Sequence, residues 1–327
     1  MIFDEKINNF IKNNTNKKKI IVIYWPTASW KTWLSIKVAK KINSEIISTD
    51  SRQIFKWLDI WTWKVTEEEK EWIIHHMIDI INPDKNYSVW EFKNESEKII
   101  SGIYDKWKIP ILCWWTGLYI DSLIFDFNIP KVPADEKLRE ELEKERLEKW
   151  NEYIYNKLKE IDPNYAKELH PNNYRYIIRW IEIKMITWKS KLDFREEKKL
   201  KYDTLFITPY DWDREKLYSN INTRVKEMFD LWLVNEVKEL LKIYNKNDFW
   251  MKTIWYKEVI DYLENFDLVK WENIIFWKNW NKLSLWEKVK QWLPLNLEET
   301  IELVQKNNRN YAKTQLTWFW RYKVFDK

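Results

Sequence analysis

Glycine is almost absent from this chain, with two glycines in 327 residues against 25 tryptophans. A soluble protein of this length usually carries glycine at about 7%, or roughly 23 residues. Cysteine is as scarce. Cys113 stands alone, which excludes a disulfide framework and a cysteine-ligated metal cluster. No apolar run approaches the roughly 18 residues of a membrane helix, and the opening MIFDEKINNFIKNNTNKKK has acidic residues and no apolar signal core. A reducing, cytoplasmic setting is therefore expected. Neither sign of charge dominates, since Lys+Arg 56 against Asp+Glu 51 leaves a net +5. That permits a nucleic-acid partner without requiring one.

The missing glycine and the surplus tryptophan are complementary, because their combined count is that of ordinary glycine plus a few true tryptophans. The tryptophans do not follow the period of a core helix or strand. They fall at turns instead: FKWLDIWTWKV (55–65), YDKWKIP (104–110), MITWKS (185–190) and FDLWLVNEV (229–237) place Trp where a strand begins or a helix ends. Those sites call for positive φ, which glycine adopts without penalty. A tryptophan there is strained by about 1–3 kcal/mol, and about twenty such sites would exceed the stability of a whole domain. Most Trp letters are therefore expected to stand where the functional polypeptide has glycine, as when UGA reassigned to glycine is translated with the standard table. Trp318, in QLTWFW, reads as a true tryptophan and Trp320 beside it as another turn glycine.

The length suggests two domains, or one with an insertion. From Ile20 to about Phe125 short apolar runs (IIVIY, EIIST, HHMIDII, IPILC) alternate with helical stretches, which predicts an α/β parallel sheet flanked by helices. From about Pro130 the chain turns to charge-dense helix, and TLFITPY then returns a strand to the sheet. Residues 1–129 are thus expected to form the first part of an α/β core and 130–200 a helical insertion. Residues 201–327 bring the return of the core, its final strand and the C-terminal helices.

The stretch IIVIYWPTASWKTWLSIKVAKK has the outline of a strand, a tight turn and a helix. With glycine at Trp25 and Trp30 it matches G-x-x-x-x-G-K-[ST], giving a P-loop NTPase-like core. In the loop Trp25, Pro26, Thr27, Ala28, Ser29 and Trp30 the backbone N–H groups, which all but Pro26 possess, would form an anion nest on the helix N-terminus. Lys31 would reach the terminal phosphate, and Thr32 could ligate Mg²⁺. Asp50 follows the next strand, at the carboxyl edge where sites in open α/β sheets form. A helix cap, a metal ligand and a general base fit it equally. Thr116, in CWWTGLYIDSL, sits on a second glycine turn under the same correction, and a plain turn threonine also fits. His75 and His76 are adjacent and His170 precedes Pro171, spacings that match no zinc pattern. The paired histidines are expected to fill a strand entry.

With Trp read as Gly, the ordered segments WPTASWKT, DSRQIFKWLDIWT, HHMIDIINPDKNYSV, WWTGLYIDSL, MKTIWYKEVI and YAKTQLTWF resemble the tRNA dimethylallyltransferases from about Ile20 to Lys323. The resemblance implies Mg²⁺-dependent transfer of a dimethylallyl group from its diphosphate to N6 of the adenosine next to the anticodon (position 37) in tRNA. The loop Trp25–Thr32 would hold the diphosphate, with Thr116 and Arg224 steadying it, although Arg224 read alone is a solvated helix charge. Asp50 would take a proton from, or orient, the adenine N6, with Ser51, Arg52 and Gln53 against the tRNA. Flipping is needed because a stacked base cannot present N6 in line with the allylic carbon. Arg175 and Arg179, four apart on one helical face, would grip the anticodon stem-loop, and Lys252 and Lys257 would supply a further RNA-facing segment. Tyr176, at a position often basic in the family, and Thr314, where Arg is frequent, depart from its pattern. The enzyme is expected to act as a monomer. A P-loop small-molecule kinase would need a lid of arginines and leaves DSRQIFK without a purpose. A prenyltransferase for free adenine nucleotides would not need the insertion. If Trp25 and Trp30 are real, a catalytically dead tRNA-binding relative remains.

Overall fold

The computed structural model describes residues 2–28, 31–114, 116–125, 132, 135–194, 199–209, 213–248, 251, 253, 255–271, 284–290 and 295–325. The chain divides into two compact units, Met1–Ile124 with Lys201–Lys327, and Phe125–Leu200. The first break falls a few residues ahead of the boundary read at 129/130.

The first unit is built on five parallel strands, β1 (Lys19–Ile23), β2 (Ile46–Ser48), β3 (His75–His76), β4 (Ile111–Cys113) and β5 (Asp203–Ile207), in the order β3-β2-β4-β1-β5. β1 is an unbroken apolar run because both of its faces are covered, and Ile20 to Ile23 are wholly buried. The register matters most for function. Ile23 pairs with Cys113, and Cys113 with Ser48, so three strands end at one level and deliver three loops to one edge. β3 is shorter than the HHMIDII run suggests. Met77 and Asp79 adopt φ of 64° and 56°, and these two left-handed residues turn the chain out of the sheet. The histidines do occupy the strand, with His76 Nε2 2.9 Å from Glu45.

Helices flank the sheet: α1 (Ile2–Lys12), α2 (Lys31–Ile42), α3 (Glu67–Lys70), α4 (Val89–Asp105), α5 (Gly117–Ile124) and, after the second unit, α9 (Arg214–Asp230), α10 (Leu233–Leu241), α11 (Tyr256–Trp271), α12 (Leu285–Lys290) and α13 (Leu297–Phe319). α4 and α13 start in capping boxes, Ser88 with Glu91 and Asn296 with Glu299, which satisfy the free N–H groups of a first turn. α2 buries Leu34, Ile36, Val38 and Ala39 against Ile21, Ile23 and Ile111. Each such side chain contributes about 1.5–3 kcal/mol. No helix among the described residues is long and apolar enough to cross a membrane.

The second unit is helical: α6 (Glu136–Ile161), α7 (Pro163–Ala166) and α8 (Tyr174–Thr187) pack around Leu142, Ile154, Leu158, Ile177 and Ile181. α6 is broken at Trp150, where φ 70° and ψ 170° lie in a region that essentially only glycine visits.

Trp150 is one of many. Among the described residues, nine of the fourteen non-glycine residues at positive φ are tryptophan: 57, 63, 72, 107, 114, 150, 188, 232 and 255. Trp72 and Trp107 are 101% and 97% exposed, so no packing offsets their strain. At about 1–3 kcal/mol each the nine approach or exceed the ~5–15 kcal/mol that holds a domain together. Trp320 is different, with φ −51° at the end of α13, and its backbone makes no demand for glycine. Trp318 lies so close to Gly117 that a Cβ on that glycine would meet its Nε1 at 2.2 Å. The replacement Trp107→Gly is expected to raise the unfolding free energy by about 1 kcal/mol and Trp107→Ala by less, read from urea denaturation. A loss on Trp107→Gly would remove the strain account.

Candidate active site

The loop after β1 enters the site by packing rather than by solvent exposure. Trp25 is 1% exposed with its ring 6.5 Å from that of Tyr24. Thr27 offers its N–H to Gln315 Oε1 at 3.3 Å, and its hydroxyl accepts from Arg224 Nη1 at 2.5 Å. Ala28 turns through φ 59°, and its carbonyl accepts from Asn220 Nδ2 at 3.4 Å. Lys31 opens α2 and donates to the Pro26 carbonyl at 2.5 Å. Ser29, Trp30, Trp115 and Lys252 lie outside the described residues.

Ala28, Lys31, Thr32, Thr62, Asn220 and Arg224 line a cavity of about 510 Å³. Of its cations Lys31 is buried and Arg224 half-buried. Burial pulls the Lys31 ammonium down to about 7, aided by Arg224 and opposed by Cys113 and Asp50. Burial likewise lowers the half-buried Arg224 to about 10, against the pull of Asp50. Arg224 is therefore no solvated charge, and its Nε has no hydrogen-bond partner among the described residues. Glu69, Glu71 and Glu227 line the same cavity, and beside Lys31 and Arg224 a bound anion could offset the charge that burial penalises.

Asp50 follows β2 and is 1% exposed. Its Oδ1 accepts the Arg52 N–H at 2.8 Å, a local turn bond, while Oδ2 has no partner among the described residues. Burial raises its pKa, and the Arg52 N–H with the charges of Arg52 and Lys31 opposes the rise. A buried carboxylate with one idle oxygen is poised to accept a proton from something that enters. Its place is fixed from two sides. Thr49 donates both its N–H (2.7 Å) and its hydroxyl (2.9 Å) to the Cys113 carbonyl. Thr116 Oγ1 accepts the Ser51 N–H at 2.9 Å and donates to Ser51 Oγ at 3.2 Å.

Residues 53–322 match the IPP transferase family. The chain belongs to that family. It is 42% identical over 309 residues to the tRNA dimethylallyltransferase of Alkaliphilus oremlandii, covering 94% of this chain and 90% of the relative. Among solved structures it resembles the tRNA isopentenylpyrophosphate transferase of Bacillus halodurans, with a TM-score of 0.61, 34% identity and coverage of 93% of this chain and 87% of that one. It also resembles a eukaryotic dimethylallyltransferase acting on tRNA, with a TM-score of 0.70, 30% identity and coverage of 92% and 70%. The P-loop NTPase-like α/β core expected from the sequence is the fold of this family.

Several expected site residues sit differently from their sequence reading. Gln53 does not face outward: it is wholly buried, accepts from Ser48 Oγ at 3.2 Å and donates to the Thr62 and Trp63 carbonyls at 3.4 Å. Its amide braces the cavity wall because two polar strand-edge loops need a partner there. Arg179 does not share an exposed face with Arg175. It is drawn to Glu182, a fully buried carboxylate that also takes Arg139 (3.1 and 2.9 Å) and the Asp135 N–H (2.6 Å), and it donates to the Val132 carbonyl at 2.8 Å. Arg175 and Lys257 are exposed, and Ser51 and Arg52 half-buried. Sequence reasoning passed over Gln315 and Tyr311, which lie four apart on α13 and so on one helical face. Burial raises Tyr311 against the pull of Arg52.

If the cavity takes an anion, Lys31 makes its capture pH-dependent. Its pKa is lowered to about 7, so the empty cavity loses this charge as pH rises through about 7. The affinity for inorganic diphosphate, measured by titration calorimetry, is expected to fall between pH 6 and 8 and to fall less in Lys31→Arg, whose guanidinium stays charged. A flat profile in the parent chain would remove Lys31 from the anion site.

Proposed function

We propose that the chain transfers a dimethylallyl group from dimethylallyl diphosphate to N6 of the adenosine next to the anticodon, position 37, in tRNA and releases diphosphate. The observation that carries this reading is the pairing of a buried, half-idle Asp50 carboxylate with a cavity walled by Lys31 and Arg224. Asp50 takes the N6 proton as the new N–C bond forms and the allylic C–O bond breaks. Lys31 and Arg224 offset the charge that develops on the departing diphosphate. These cations stabilise most where water is excluded.

Thr116 and Ser51 hold the Asp50 loop, and Gln53 holds the wall opposite. Thr32 lines the cavity, and its hydroxyl with the diphosphate would hold Mg²⁺, which supplies charge neutralisation of the leaving group. The exposed Arg175 contacts tRNA phosphate in the anticodon stem-loop, and Lys257 adds a second contact, while Arg179 serves the fold. Phosphate contacts of this kind position the RNA and leave sequence reading to the splayed loop bases. The enzyme works in the cytoplasm as a monomer.

The same reading rests on glycine at positions 25, 30, 114 and 115. Peptide mass spectrometry of the protein from its natural host decides this. Glycine at 25, 30, 114 and 115 supports the enzyme, whereas tryptophan there leaves a tRNA-binding relative without catalysis. For the chemistry, Asp50→Asn is expected to lower kcat by about 10²–10⁴ with little change in tRNA affinity. Transfer at the parental rate would sink the general-base assignment.

A further inference from the structure

The loop between Phe55 and Val65 has little secondary structure of its own, yet it supplies Thr62 and Trp63 to the cavity wall. Its rigidity comes from charges. Glu236, on α10, turns its carboxylate onto three consecutive N–H groups of this loop, those of Asp59 at 3.0 Å, Ile60 at 2.7 Å and Trp61 at 3.3 Å. The hydroxyl of Tyr256 adds a fourth donor at 2.7 Å. Four donors on two oxygens use the acceptor capacity of an ionised carboxylate. Successive N–H groups converging on one anion form the same concavity that elsewhere captures phosphate. Here the anion is part of the protein.

A second charge closes the loop from its other end. Lys64, whose side chain is only 6% exposed, donates to the Phe55 carbonyl at 3.0 Å and to the carboxylates of Asp59 and Asp79 at 2.5 Å each. Asp59 thus joins the two clamps, offering its N–H to Glu236 and its side chain to Lys64. Thr62 sits between them, with its hydroxyl donating to the Leu58 carbonyl at 2.6 Å.

We propose that Glu236 is a positioning residue, an internal anion clamp that fixes Asp59–Trp61 so that Thr62 and residue 63 stay at the wall of the diphosphate cavity. This rests on the reading of that cavity as the donor site. Glu236 touches neither substrate, so its effect reaches the donor through loop placement alone. Glutamine cannot replace it. An amide presents an NH₂ to N–H groups on one side and leaves donors unpaired.

The test uses the full chain and two readouts. Glu236→Gln is expected to raise the KM for dimethylallyl diphosphate about tenfold or more, since a displacement near 1 Å costs up to about a hundredfold. The KM for tRNA should stay near the parental value, Glu236→Asp should recover part of the loss, and Lys64→Gln should repeat it. A merely structural role would lower Tm and leave the folded fraction's donor KM unchanged, which overturns the proposal. Hydrogen exchange gives an answer that needs no activity. The amides of Ile60 and Trp61 should exchange faster in Glu236→Gln while those of Val22 and Leu112 stay protected, and unchanged protection at 60 and 61 also overturns it. Should the parent chain show no prenyl transfer while those two amides are released in the variant, the clamp stands and the donor-site reading falls.

Discussion

Register in the parallel sheet is the constraint on which the site depends. Ile23, Ser48 and Cys113 end at one level, and each hands the chain to a polar loop at the same edge. A slip of one residue would reverse the faces of a strand and carry Asp50 away from Lys31. The buried apolar runs forbid that slip, so hydrophobic packing that takes no part in chemistry sets the distances that chemistry requires. The Thr49 bonds to the Cys113 carbonyl lock the same alignment one residue beyond the strands.

Burial then gives the site its electrostatic character. Lys31, Asp50 and Arg224 are each shifted away from the charged form, chiefly by loss of water; Asp50 partly restores both cations and Lys31 partly restores Asp50, while Arg224 depresses Lys31 further. Such a set is costly to bury. Burial raises Glu236 as well, but there the N–H groups of residues 59–61 and the Tyr256 hydroxyl oppose the rise, and Lys64 likewise has its partners within the fold.

Much of this was legible in the sequence. The alternation of apolar runs with helices announced the parallel sheet, and the P-loop pattern put Lys31 and Thr32 at the start of α2, where both line the cavity. Asp50 could be located at a strand end, though its idle oxygen could not be read. What the sequence hid was orientation. Gln53 stands beside Arg52 in an outward-looking motif, but its amide turns inward because two loops there lack partners. Arg179 fits an exposed helical face by spacing, yet a glutamate three residues on pulls it into the fold. Glu236 is unremarkable in NEVKEL, since its three N–H partners lie far back in the chain. The tryptophans were the reverse case. Their turn positions predicted positive φ, and five of the six sites in the quoted turn segments have it, Trp61 being the exception.

Those turn tips also govern how the chain behaves among its own copies. Trp57, Trp72, Trp107, Trp150, Trp188 and Trp232 are all largely exposed, so a polypeptide that truly carries indole there projects separate apolar knobs into solvent. Scattered apolar residues are harmless singly, but flat rings on prominent turns meet one another readily on collision. With glycine the same turns are bare backbone, hydrated and inert. A host that inserts tryptophan would thus change colloidal behaviour as well as folding energy, turning a soluble surface into a self-adhesive one.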